Sequence, residues 1–348
     1  MDSTILVALQ TSTITHVLLL GFLGFLVSMA ITPIYTTIAY KYQWWKKPRT
    51  DAITGEKATL TAQLHAAKHK RLIPSMAGLV FVLSVAAVTL AFNINRSQTW
   101  LPLAAFFGAA LVGLLDDIIN LRSEGKGVAG LRSKIKLALT TLVAAIGGWY
   151  FYAKLDVTSI QIPFVSEPLQ VSWLIIPIFI LVVVATANAV NISDGEDGLA
   201  GGLTATAFGT YAVIALLEQR FAVAGFCLTI VGALLSYTWF NVFPARFFMG
   251  DIGSFSLGTA LGVVAMITDT VLLLPIIGLV FVAEAGSSAI QIMSKKLRGG
   301  KKVFKIAPIH FHFEALGWPE TKVTMRFWII GQVAAIAGLV LFVMGWYA

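Results

Sequence analysis

Of the chain's 348 residues, 57% are hydrophobic and 12% charged, well below the roughly 25% charged content of an ordinary soluble domain. That balance excludes a soluble globular protein, and it reads as an all-α polytopic membrane protein. The polar stretches 41–73 and 294–325 are too short to build a soluble domain and read as loops, so residues 1–348 form one integral-membrane domain in this reading.

A helix needs about 20 mostly apolar residues to cross a bilayer. Ten segments qualify, in chain order 15–40, 74–94, 100–118, 135–153, 172–190, 199–217, 221–240, 254–268, 270–292 and 327–346. Only Asp269 separates the eighth from the ninth. The first has no Lys or Arg before Lys41, so it lacks the basic flank of a cleavable signal and reads as a retained helix. Cys227, the single cysteine, falls inside the seventh and reads as a small packing residue. No internal repeat is visible, which weighs against an inverted-repeat transporter.

With ten spans and the N-terminus outside, every one of the 25 Lys and Arg except Arg96, Lys154 and Arg220 falls in an inner loop. That positive-inside asymmetry places both termini on the outer face. Topology and anionic headgroups then account for the net charge of +8 without a nucleic-acid partner.

On the same topology Asp116, Asp117, Asp194, Glu196, Asp197, Asp251, His310 and His312 gather at the inner, cytoplasmic face. Carboxylates are costly near lipid, so four distant segments meeting at one face point to a site. Asp2, Asp156, Glu167, Glu218 and Asp269 are scattered on the other side.

The third run ends in Asp116-Asp117; successive helical side chains diverge by about 100°, while Asp116 and Asn120 share a face. One aspartate is therefore free to hold an ion while the other faces a second group. Between the fifth and sixth runs, Asn191, Asp194 and Asp197 recur at three-residue spacing. Gly195 and Gly198 permit close backbone approach there, which suits a polar ligand entering between helix ends; a tight turn with self-satisfied Asn and Asp is the alternative. Before the eighth run, Gly250-Asp251-Ile-Gly253-Ser254 offers Asp251 to a cation and Ser254 as a helix cap, with exposed N–H groups near a phosphate. Phe248 reads either as a base-stacking ring or as a membrane-interface anchor.

Glu284 lies inside the ninth run, where an interhelical hydrogen bond and a place in a substrate groove are both open, and Gly286, Ser287 and Ser288 give that helix a place to bend. His310 and His312, read as loop residues, follow the basic run from Lys295 to Lys305. The donor set suits hard Mg²⁺, which takes oxygen from one or two carboxylates plus substrate phosphates. Zinc fits poorly, with no cysteine nearby and histidines two residues apart.

Three stretches carry a family resemblance: Asn188-Ala-Val-Asn191-Ile-Ser-Asp194-Gly-Glu-Asp197-Gly-Leu-Ala200, Phe240-Asn241-Val-Phe-Pro-Ala-Arg-Phe-Phe248-Met-Gly-Asp251-Ile-Gly-Ser254, and Ala307-Pro-Ile-His310-Phe-His312-Phe-Glu314-Ala-Leu-Gly-Trp-Pro-Glu320. From about residue 68 to the C-terminus the chain resembles the phospho-N-acetylmuramoyl-pentapeptide-transferase family, within the polyprenyl-phosphate N-acetylhexosamine-1-phosphate transferase superfamily. The resemblance implies ten transmembrane helices, a homodimer in the bacterial plasma (inner) membrane, and Mg²⁺-dependent transfer from UDP-N-acetylmuramoyl-pentapeptide to undecaprenyl phosphate, giving lipid I and UMP.

By that resemblance Asp116, Asp117, Asp251 and His310 are catalytic, and Asp251 is the magnesium ligand. Asn191, Asp194, Asp197, Asn241 and Phe248 match positions around the nucleotide, with Asp197 and Phe248 nearest the uracil, and Gly195 joins them as the point of close backbone approach. Lys70, Glu284 and His312 complete the substrate-binding set. Two positions depart from the family: Phe311 stands where it has the central of three histidines, and Asn120 where it has a Lys after the Asp pair. The implied chemistry is attack by a lipid-phosphate oxygen on the sugar-linked phosphorus, with Asp116 orienting or deprotonating the lipid phosphate; a covalent aspartyl-phosphate route is the alternative. A sibling transferase using UDP-N-acetylglucosamine and a non-catalytic scaffold or transporter are the competing functions.

Overall fold

The computed structural model describes residues 3–45, 72–122 and 130–346. Its helices run α1 (Ser3–Lys41), α2 (Gly78–Phe92), α3 (Trp100–Arg122), α4 (Ser133–Ala153), α5 (Ile175–Ser193), α6 (Leu199–Leu217), α7 (Phe221–Asn241), α8 (Gly250–Ile267), α9 (Leu274–Ile277), α10 (Leu279–Leu297), α11 (Ile309–Ala315) and α12 (Glu320–Trp346). Between α4 and α5 two short strands, β1 (Ser159–Ile160) and β2 (Leu169–Gln170), pair antiparallel with Ser159 opposite Gln170. The all-α expectation holds apart from that hairpin.

Eight helices among the described residues are long and apolar enough to cross a membrane, or nine if the bent segment Val271–Ile277 with Leu279–Leu297 is one span. This is a polytopic membrane protein. The second expected run is helical only over the 15 residues of α2, shorter than the ~20 a bilayer requires. The eighth and ninth runs separate cleanly. Helix α8 stops at Ile267, where Thr268 Oγ1 turns back onto the Val264 carbonyl at 2.9 Å and Asp269 accepts a hydrogen bond from the Gln161 N–H at 3.0 Å. The ninth run breaks by 82° between Ile277 and Leu279. The bend therefore falls at Gly278, three residues after Pro275, rather than at the expected Gly286–Ser288 stretch.

Helix α8 is the axis of the bundle. All of its residues except Asp251 are buried, as a helix apolar on every side requires, and it packs against α2, α3, α5 and α6. Small residues let these backbones approach. A β-carbon at Gly113 on α3 would lie 2.5 Å from the Ile252 nitrogen of α8, so the crossing that brings Asp116 and Asp117 to Asp251 exists because position 113 has no side chain. Helices at the periphery show the opposite pattern: Leu18 and Phe22 on α1, Leu142 and Ile146 on α4, and Ile329, Val333 and Ile336 on α12 remain exposed, as a lipid-facing surface demands.

Candidate active site

The C-terminal ends of α3, α5 and α7 and the N-terminal ends of α6 and α8 meet at one end of the molecule, where Asp117 reaches Ile252, Asn191 reaches Ser254 and Asn241 reaches Gly198. That end collects the acidic residues. Oxygens of Asp116, Asp117 and Asp251 lie within 4.8 Å of one another. Asp116 and Asp117 are buried at 2% and 0% exposure, whereas the Asp251 side chain keeps 17% and faces outward. The adjacent aspartates therefore do converge beside Asp251, and each still has a separate N–H partner.

Asp116 Oδ1 accepts a hydrogen bond from the Leu131 N–H at 2.7 Å and lies 3.1 Å from Lys136 Nζ. The same ammonium is ion-paired with Asp251 and sits 5.3 Å from the centre of the Phe255 ring. Asp117 Oδ2 accepts the Ile252 N–H at 3.0 Å, one of the orphan donors in the first turn of α8. That corrects the expected cap: Ser254 Oγ bonds back to the Gly250 carbonyl at 3.2 Å and accepts from Asn191 Nδ2 at 2.8 Å, while the capping acceptor comes from α3. A three-carboxylate group of oxygen donors, with one member open to solvent and an ammonium already drawn between two of them, has the chemistry of a hard-cation site.

The turn between α5 and α6 is held from several sides. Asn241 uses both ends of its amide, accepting the Gly198 N–H at 3.0 Å and donating to the Phe247 carbonyl at 2.8 Å. Asp197, 2% exposed, accepts the Ala245 N–H at 3.0 Å, and its own N–H donates to Glu320 Oε1 at 2.8 Å. These two residues brace the loops around the site. Asp194 is the C-cap of α5 and stays half-buried, as does Phe248, whose backbone pairs with Pro74 and Ala77 just ahead of α2. Beyond this turn, carboxylate oxygens of Glu196, Glu314 and Glu320 approach within 4.8 Å of one another.

His310 and His312 lie on α11 rather than in a loop. His310 is fully buried, with Nδ1 2.7 Å from Oε2 of Glu284, itself fully buried on α10. His312 points away from that pair: its Nδ1 accepts the Lys305 N–H at 3.1 Å and pins the basic loop. Lys70 lies outside the described residues.

Lys136 escapes a reading of the sequence because Arg132, Lys134 and Lys136 look alike as inner-loop charge. A signal did exist. Thr140, Ala144, Gly147 and Phe151 form the buried stripe of α4, and Lys136 stands one turn before Thr140 on that stripe, so it points inward.

Residues 99–269 match the family described as Glycosyl transferase family 4. The phospho-N-acetylmuramoyl-pentapeptide-transferase of Chloroflexus aggregans is 36% identical over 97% of this chain and 92% of its own length. That of Bacillus mycoides is 37% identical over 91% of this chain and 94% of its own, and the protein of the same name from Bacillus anthracis matches to the same extent.

Proposed function

The chain belongs to the phospho-N-acetylmuramoyl-pentapeptide-transferase family, and from that premise we propose that it moves phospho-N-acetylmuramoyl-pentapeptide from its UDP carrier to undecaprenyl phosphate, forming lipid I and UMP in peptidoglycan synthesis. The observation that carries the reading to this chain's own residues is the meeting of Asp116, Asp117, Asp251 and Lys136 where α3, α4 and α8 converge.

The reaction is a displacement at the sugar-linked phosphorus. A lipid-phosphate oxygen forms the new P–O bond as the bond to the bridging oxygen breaks, and UMP leaves with that oxygen. Lys136 draws the anionic lipid phosphate toward Asp116, which orients it. A phosphate monoester has its second pKa near ~6, so the nucleophile is already mostly ionised at neutral pH and orientation outweighs proton removal. Asp251, the partly exposed carboxylate, would hold Mg²⁺, with Asp116 and Asp117 beside it. The metal, when bound, supplies positive charge that offsets the diphosphate and the departing UMP. Asp117 keeps Asp251 in place through the Ile252 N–H, and Asn241 and Asp197 hold the loops that frame the nucleotide. Asn191, Asp194, Gly195 and Phe248 line the donor side, with Lys70 and His312 in the wider substrate-binding set and Glu284 joined to it through His310.

In the membrane we take the chain as one domain with ten crossings, counting α2 and the bent α9–α10 segment. Both termini lie outside and the site faces the cytoplasm of a bacterial plasma membrane. The supporting observation is the distribution of Lys and Arg, of which Arg96, Lys154 and Arg220 alone fall in outer loops. The working form is a homodimer, as in the family it resembles.

The test is donor choice. Purified protein with undecaprenyl phosphate is supplied with UDP-N-acetylmuramoyl-pentapeptide or with UDP-N-acetylglucosamine, and UMP release is measured. Turnover with the first donor alone is expected; turnover with the second alone would make the chain a sibling transferase.

A further inference from the structure

Glu284, at 0% exposure, stands apart from the Asp116, Asp117 and Asp251 group. An ionised carboxylate out of water is costly unless it is hydrogen-bonded, and Glu284 meets that demand through His310 Nδ1 at 2.7 Å. Its other oxygen, Oε1, has no hydrogen-bond partner, and neither has His310 Nε2. Both residues are at 0% exposure, and it is the His310 ring, not the Glu284 carboxylate, that lies against the turn carrying Asn191 to Asp197. The imidazole lies so close over Gly195 that a β-carbon there would strike Nε2 first, then Cε1 at 2.9 Å and Phe311 at 3.3 Å. Phe311 packs beside it, its ring 4.1 Å from the imidazole centre to centre.

We propose that Glu284 is a positioning residue that acts through His310: it accepts the Nδ1 proton, so fixing the ring's tautomer and tilt and presenting Nε2 to the Asn191–Asp197 turn where the diphosphate is handled. The histidine alone, on a helix of seven residues, has no other hydrogen bond to set its orientation among the described residues. A neutral imidazole that donates from Nδ1 offers Nε2 as an acceptor, and a protonated one offers it as a donor. In either state the carboxylate decides which nitrogen faces the substrate. This role rests on the transferase reading of the site.

The experiment is a double-mutant cycle on purified protein in nanodiscs, following UMP release from UDP-N-acetylmuramoyl-pentapeptide with undecaprenyl phosphate. Wild type, Glu284→Ala, His310→Ala and the double variant are compared, with monodispersity and thermal unfolding as folding controls. Glu284→Ala is expected to lower kcat by about 10- to 100-fold, with the donor KM within about twofold, and to add no further loss in the His310→Ala background. Multiplicative losses, or a loss confined to KM, would overturn the proposal. Should Glu284→Ala fail to fold, Glu284→Gln tests the same link, because its amide oxygen still accepts the Nδ1 proton. A kcat loss of less than about tenfold, absent in the His310→Ala background, is expected; a loss as large as that of His310→Ala, or the same loss in both backgrounds, would contradict the proposal. An inactive wild type would instead sink the transferase reading itself.

Discussion

At the residue scale, Lys136 joins two of the three carboxylates, and its removal leaves Asp116 and Asp251 facing each other without that ammonium. Lys136→Gln is expected to reduce kcat by roughly 10²-fold, the usual consequence of deleting a preorganised positive donor. Half-saturating Mg²⁺ should fall at the same time, because a repelling charge has gone. A magnesium titration of turnover reads both, and unchanged kcat would remove Lys136 from the chemistry. Asp117 makes a different prediction. Its oxygen satisfies the buried Ile252 N–H, and stranding such a donor costs about 1–3 kcal/mol. Asp117→Ala should therefore unfold at lower temperature than Asp117→Asn, whose amide oxygen still accepts; equal unfolding temperatures would show that charge rather than capping sets the role of Asp117. The carboxylates were legible in the sequence because charge is rare in apolar runs. Their partners were not, since nothing local tells Asp117 that an N–H from residue 252 will need it. Asn241 and Asp197 show the same limit: nothing local in the sequence says that they hydrogen-bond Gly198, Phe247 and Ala245.

At the scale of elements, the site depends on how closely α3 and α8 cross. A side chain at Gly113 meets α8 backbone, 2.5 Å from the Ile252 nitrogen, and backbone cannot swing aside as a flexible side chain would. Gly113→Val should force the helices apart, at a typical overpacking cost of about 1–3 kcal/mol, and spread the aspartates. The expected result is a lower unfolding temperature together with loss of magnesium-dependent turnover; wild-type values for both would mean the crossing is not tightly packed. Helix existence was easy to read because long apolar runs admit few other structures in lipid. Helix interruptions were harder. Gly286, Ser287 and Ser288 look like a bend, but Ser287 Oγ returns to the Glu284 carbonyl at 2.8 Å and the helix continues. The chain breaks at Gly278, where α9, with Pro275 in its first turn, has just ended.

At the scale of the whole molecule, the two ends of the bundle differ in kind. Helix α8 is 18 residues long, about 27 Å at 1.5 Å per residue. Its far end opens on a polar cleft lined by Gln98, Gln161, Glu218, Arg220 and Asp269. There burial lifts the Glu218 carboxyl from its ordinary 4.5 to about 7, against the opposing pull of Arg220. An acid whose folded pKa lies above its unfolded one binds more protons when folded. Its contribution to stability is thus complete below pH 4.5 and is lost as pH rises through about 7. The unfolding temperature of wild type should fall across that window by more than that of Glu218→Gln, and parallel curves would contradict the burial of this group. Among the described residues the Asp116, Asp117 and Asp251 triad lies at the opposite end.

The most direct measurement is product formation by the purified protein in nanodiscs with undecaprenyl phosphate and UDP-N-acetylmuramoyl-pentapeptide, with magnesium added or chelated and with Asp251→Ala alongside. The account predicts UMP and lipid I in equal amounts, both abolished by chelation and by the substitution, with Phe311 and Asn120 in place. Folded wild-type protein that forms neither product in magnesium, or an Asp251→Ala variant that turns over like wild type, would contradict it.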